Sequence, residues 1–209
     1  MTLAPSLLAF TAAATLLTIT PGVDTALVLR TAAVEGLRRA GLAALGIGLG
    51  CLIWGAGVAL GLGALLTASR AAFTVMKWVG GAYLVYLGLK LLVAPRAYIA
   101  LDPSGTPASA GRDPFRRGLL TNLLNPKVGA FYVSFLPGFV PAGAPVPGFI
   151  FLLACIHVAL SLVWFAILIA SVAPLGRWLA RSAVMQTLDR LTGCVFIAFG
   201  ARLALTRAV

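Results

Sequence analysis

The chain has 209 residues, 61% of them apolar and only 10% charged, with a mean hydropathy of +1.03. A soluble domain carries about 25% charged residues, so this composition excludes one and marks an integral membrane protein. The net charge of +11 comes from 16 basic and 5 acidic residues. The bases cluster between apolar runs, which makes them topology signals and anionic-lipid contacts rather than a nucleic-acid surface.

Six segments are long enough to cross an apolar core of about 30 Å, which takes about 20 residues of helix. They are 6–29, 41–66, 71–93, 117–140, 147–173 and 187–206. The N-terminus has no basic stretch and no small-residue cleavage site, so it reads as a retained first span. Thr20-Pro21-Gly22-Val23-Asp24 interrupts that span. Thr20 can cap a helix resuming after Pro21, and proline is well tolerated at a first helical position. Asp24 then lies in the first turn, where a negative charge is favoured. It is the only acid inside an apolar run, and reads as a proton-coupling acid, a partner for a substrate ammonium, or a cap.

The second span is rich in glycine. Gly46 with Gly50, and Gly57 with Gly61, are small-xxx-small pairs, allowing close helix contact within a protomer or in a homodimer. No strand surrounds the glycines, so they are not a dinucleotide loop. In the third span Gly81 and Gly88 mark a second close-packing stripe, with Tyr83 and Tyr86 between them as packing or interfacial residues. Residues 94–116 are rich in proline, glycine, serine and charge, and read as a solvent-exposed linker. The chain then divides into a first three-helix block (1–93), the linker (94–116) and a second block (117–209). An odd number of spans per block inserts the second block upside down.

The fourth span is interrupted in its turn, at Asn125-Pro126-Lys127. Matching breaks in two halves are the pattern of an inverted-repeat secondary transporter, with its binding site at the midplane. Asn125 can cap a helix starting at Pro126. The dipole of that helix disfavours Lys127, so the lysine pairs with Asp24, binds a substrate carboxylate, or snorkels to the interface. Asn122 and Asn125 are three apart and can share a face, for substrate contact or interhelical hydrogen bonds. His157 in the fifth span is a proton relay or a packing residue. The sixth span opens with Gln186, Asp189 and Arg190, and five spans plus an interfacial last helix is the alternative.

Cys51, Cys155 and Cys194 stand alone, with no metal-ligand or disulfide spacing. No cofactor is indicated, and no nucleophile–base set points to an enzyme. Eleven bases fall on one side: Arg30, Arg38, Arg39, Lys90, Arg96, Arg112, Arg116, Arg117, Arg177, Arg181 and Arg190. Four, Arg70, Lys77, Arg202 and Arg207, fall on the other. The richer side is cytoplasmic by the positive-inside rule, which places the N-terminus outside.

Three stretches carry a resemblance: TPGVDTALVLRTAAVEGLRRAGLAALGIGLG, GGAYLVYLGLKLL and FRRGLLTNLLNPKVGAFYVSFLPGFV. With a closing RLTGCVFIAFGARLAL, they resemble the LysE/RhtB amino-acid exporter family nearly end to end. Val23 stands where the family often has a second proline. The resemblance implies a bacterial inner-membrane exporter of amino acids or close derivatives, driven by the proton gradient. The alternative is an uncoupled facilitator for small zwitterions. Motif positions of the family carry over to Pro21, Gly22, Asp24, Gly41, Gly46, Tyr83, Gly88, Asn122, Asn125, Pro126 and Lys127.

Overall fold

The computed structural model describes residues 2–68, 70–95, 113–172, 178 and 181–205. The described residues are helical almost throughout. In chain order come α1 (Leu3–Ile19), α2 (Val23–Glu35), α3 (Leu37–Ala68) and α4 (Arg70–Val93). They are followed by α5 (Pro114–Leu123), α6 (Pro126–Ala130), α7 (Val146–Ala170) and α8 (Ser182–Leu205). A π-helical turn (Phe131–Phe135) and a 3-10 turn (Leu136–Phe139) extend α6 without a gap.

The first expected span is therefore two helices, α1 and α2, bent by 52° at the break. The fourth is likewise two, α5 and the run from α6 to Phe139. Among the described residues, Leu37–Gly61 in α3 and the whole of α7 are each long and apolar enough to cross a membrane unaided. The bent pair α1–α2 qualifies as a third span. Most of the 94–116 linker lies outside the described residues, as do Arg96, Arg112, Arg177 and Arg207.

Local chemistry sets the ends of these elements. Asp113 caps α5 by accepting from the Phe115 N–H at 3.0 Å, with Pro114 at the first helical position. Asn125 caps α6 in the same way, accepting from the Lys127 N–H at 3.0 Å. Gly36 ends α2 with φ of +93°, a conformation that side-chain-bearing residues rarely adopt, and α3 starts at the next residue.

Packing is most extensive between α4 and α8, then between α3 and both α5 and α7. Glycine makes the closest approaches possible. A Cβ on Gly46 would overlap the Phe115 carbonyl, and one on Gly118 would overlap the Ala43 carbonyl. Gly50, one turn further along α3, departs from the backbone-to-backbone contact expected of its pairing with Gly46. A Cβ on Gly50 would fall 2.5 Å from Asn122 Oδ1 and 3.0 Å from Asn122 Cβ. Its bare Cα makes room for a side chain of α5 rather than for the helix backbone, because Asn122 projects from α5 at that level. On the other flank, a Cβ on Gly88 would fall 2.6 Å from the Gly193 carbonyl, and one on Gly200 the same distance from the Gly81 carbonyl. A Cβ on Gly57 or Gly61 would meet no other described part of the chain within 4 Å.

The core between α1 and the second broken helix is aromatic. Phe10 packs edge-on to Phe139, with ring centroids 5.4 Å apart. Phe131 stacks on Phe135 at 4.8 Å, and Phe199 of α8 lies against Phe135 at 4.3 Å. The Ser6 hydroxyl donates to the Phe139 carbonyl, tying α1 to the end of the run.

Candidate functional site

The two breaks meet. Pro21 has no N–H, so the Leu17 carbonyl of α1 cannot receive the bond a continuing helix would give it. The chain extends through Gly22 before α2 begins, leaving the Thr20 carbonyl beyond the helix end. Lys127, in the first turn of α6, fills this gap. Its Nζ donates to the Thr20 carbonyl at 2.9 Å and to the Leu17 carbonyl at 3.1 Å. It thus sits at the negative end of the α1 dipole, which offsets the unfavourable dipole of its own helix. Snorkelling does not describe this lysine, because its head group turns inward onto the break.

Asp24 lies in the first turn of α2. Its Oδ2 accepts from Asn122 Nδ2 at 2.8 Å, while its Oδ1 is buried without a hydrogen bond from the described residues. Asn125 and the Lys127 charge act on the same carboxylate. Asn122 is fully buried, and it also donates to Cys51 Sγ at 3.4 Å. The space left by Gly50 of α3 seats this amide, so the glycine serves the site as well as the packing.

These groups surround a cavity of about 50 Å³. Asp24 and Lys127 are its charged lining, Thr18, Thr25, Asn125, His157 and Ser161 are polar, and Leu17, Ile47, Val128 and Phe165 are apolar. That volume holds a few waters. It falls well short of the roughly 300 Å³ at which small-molecule sites begin. The cavity is contracted, and a larger ligand enters only if its walls separate.

The walls differ on the two sides. On the side of His157, Phe131 of the phenylalanine cluster lies with its ring 5.1 Å from that lining imidazole. On the other, α2 and α5 run antiparallel and are held together at both ends. Near the cavity the link is Asn122 to Asp24. At the far end Arg117 Nη2 donates to Glu35 at 2.7 Å and to the Thr31 hydroxyl at 3.0 Å. Arg39 adds a second bond to Glu35 at 2.9 Å.

Thr20 departs from the sequence expectation. It does not cap α2, whose first turn receives no side-chain cap and follows Gly22. It ends α1 instead, because the extended Pro21-Gly22 step carries its hydroxyl away from the α2 amides. That hydroxyl donates to the Leu16 carbonyl at 2.7 Å and accepts from Thr192 of α8 at 2.6 Å. Gly22 lies against the lysine, since a Cβ there would be 3.8 Å from Nζ. His157 lines the cavity, and its Nδ1 is bonded to the Tyr132 hydroxyl at 2.9 Å.

Three residues escaped the sequence reading. Arg117 reads in the sequence only as one of the basic topology signals and Glu35 is not singled out there, yet the two join α2 to α5. Asp189 looked like the polar mouth of the last span, and it is fully buried in α8, one turn before Thr192. A periodic signal was available for Asp189: with Thr192 and Phe196 it marks one face at i, i+3 and i+7.

A family model described as LysE type translocator matches residues 15–207. An uncharacterized membrane protein of Pseudomonas aeruginosa, PA4757, is 35% identical over 88% of this chain and 88% of its own. A leucine efflux protein of Klebsiella pneumoniae is 32% identical over 94% of this chain and 93% of its own. An uncharacterized membrane protein of Bacillus subtilis, YrhP, is 30% identical over 96% and 99% respectively. No solved structure matches the chain. With its apolar helices and a family match over nearly all its length, the chain belongs to the LysE type translocator family, and is a membrane transporter rather than an enzyme.

Proposed function

We propose that this protein exports a neutral, aliphatic amino acid from the bacterial cytoplasm by proton-coupled alternating access. The observation that carries the reading is the meeting of Asp24 and Lys127, one acid and one base, at a cavity between two helix breaks. A zwitterion presents one ammonium and one carboxylate, and this pair is their complement. Each charge is costly inside a membrane, by about 2.5–3.5 kcal/mol on insertion scales, so structure alone gives little reason to keep both.

The remaining lining favours the side-chain class. Leu17, Ile47, Val128 and Phe165 form the apolar part of the wall. Asp24 is the one carboxylate among the described lining residues, so a dibasic substrate lacks a partner for its second ammonium. Relatives named leucine efflux protein point to the same class.

The packing supports two inverted blocks of three spans, 1–93 and 117–209. Exchanging the halves maps α3 onto α7, α4 onto α8, and one broken helix onto the other. The contacts follow that exchange: α3 packs on α7, α4 packs on α8, the first broken helix packs on α7 and the second on α3. In this reading the Glu35–Arg117 end faces the cytoplasm, the phenylalanine cluster faces outward, and the N-terminus lies outside. Substrate enters when α2 and α5 part, places its ammonium on Asp24, and leaves when the aromatic side opens. A proton returning on Asp24 resets the cycle.

The test is uphill flux of a panel of labelled amino acids in vesicles, with and without a pH gradient. Accumulation of a branched or aliphatic substrate that collapses with an uncoupler, and fails in Asp24→Asn, supports the reading. Downhill flux indifferent to both the gradient and the substitution makes the protein a facilitator and refutes the coupling.

A further inference from the structure

We propose that the break at the end of α1 is a monovalent-cation site, which this chain fills with its own Lys127 ammonium. Truncating the lysine then opens the site to sodium. The breaks of secondary transporters bind coupling ions through unwound carbonyls at half-helix C-termini, where the dipole favours positive charge. Here two such carbonyl oxygens converge on a side chain. Leu17 O is orphaned by Pro21 and Thr20 O by the extended step after it, and Nζ meets them at 3.1 and 2.9 Å.

The oxygens available around that point suit a hard alkali cation. Besides the two carbonyls, Thr18 Oγ1 and Asp24 Oδ1 are buried without hydrogen bonds from the described residues, and both residues line the cavity. A carboxylate, a hydroxyl and two carbonyls are an all-oxygen set of one negative charge, of the kind that hard cations take. The cavity adds room for water to complete the shell. An ammonium tethered through Lys127 holds the position at no cost in association entropy, which a free ion must overcome. Sodium is thereby shut out as long as the lysine is charged and in place.

This assignment rests on reading the breaks as a coupled site, yet its test needs no knowledge of the substrate. The full-length protein is purified in detergent. Its melting temperature is measured against NaCl, with choline chloride holding ionic strength constant. Wild type is expected to respond alike to both salts. Lys127→Ala is expected to gain a saturable, sodium-specific rise of about 2–4 °C once sodium exceeds its dissociation constant a few-fold. Lys127→Met, which fills the space with an apolar chain, gains none. Superimposable sodium and choline curves for Lys127→Ala, or an equal sodium response in wild type, overturn the proposal. If Lys127→Ala does not survive purification, binding of radioactive sodium to membranes holding Lys127→Ser gives the same decision. A sodium response in Lys127→Ala alongside a wild type that moves no amino acid would keep the cation site and refute the export reading.

Discussion

Removing the guanidinium at Arg117 should unlatch the cytoplasmic side. The Arg117 and Glu35 side chains are 19% and 15% exposed, so their 2.7 Å contact is largely shielded from water. A hydrogen bond between charged groups in that setting contributes about 1.5–3 kcal/mol. Arg39 bonds the same carboxylate but is 38% exposed and only one turn away, which limits it to about 0.3–0.5 kcal/mol. The Arg117 bonds cross from α2 to α5, whereas the Arg39 bond stays between α2 and the adjoining start of α3. Losing the former by Arg117→Met moves the closed-to-open ratio roughly 10- to 100-fold at 1.4 kcal/mol per decade. The reporter is Cys51, which is buried and lines the cavity. Cys155 and Cys194 are exposed and are first changed to serine. In inside-out vesicles, alkylation of Cys51 by a polar maleimide should speed up about 10- to 100-fold in Arg117→Met, and change less than about 2-fold in Arg39→Met. An unchanged Cys51 rate in folded Arg117→Met would show that this pair does not hold the cytoplasmic side shut.

Asn122→Leu takes away the 2.8 Å donor to the Asp24 carboxylate and should cost about 1.5–3 kcal/mol, a melting drop of roughly 3–10 °C. Adding Asp24→Asn should restore most of it, because no buried carboxylate is then left short of a donor; a thermal-unfolding double-mutant cycle measures both. Gly46→Ala and Gly118→Ala place a methyl into backbone of the facing helix, so neither should accumulate as monodisperse protein on size exclusion. Gly57→Ala and Gly61→Ala meet open space and should express normally within the same series. Tyr132→Phe removes the 2.9 Å bond to His157, and should cost about 1 kcal/mol while leaving uphill transport intact. Lost uphill flux with preserved downhill flux in that variant would place the pair on the proton path.

How much of this was legible beforehand depends on the range of the interaction. Asn125 as a cap and Asp24 in a first turn follow from side chains reaching one to three residues along the chain. Thr20 shows the limit even there. Its residue type permits a cap at either break edge, and the extended Pro21-Gly22 step decided that its hydroxyl turns to Leu16 and Thr192. Gly46 and Gly50 were readable as a close-packing pair, but not that one meets a backbone carbonyl and the other an amide side chain. For Asp189 a face was readable, but its complete burial in α8 was not.

Where the membrane helices run and where two of them break is written in the residues themselves. Apolar length is a local sum, and proline's missing N–H interrupts a helix whatever surrounds it. What the breaks hold was settled by the folded arrangement. Lys127 finds carbonyls 107 and 110 residues away, and Arg117 finds Glu35 at a separation of 82. A span that is apolar nearly all round has no polar face to show which side meets a neighbour. The choice among partners therefore rests on close glycine packing and on the cost of leaving buried carbonyls and charges unpaired, and both act through space rather than along the chain.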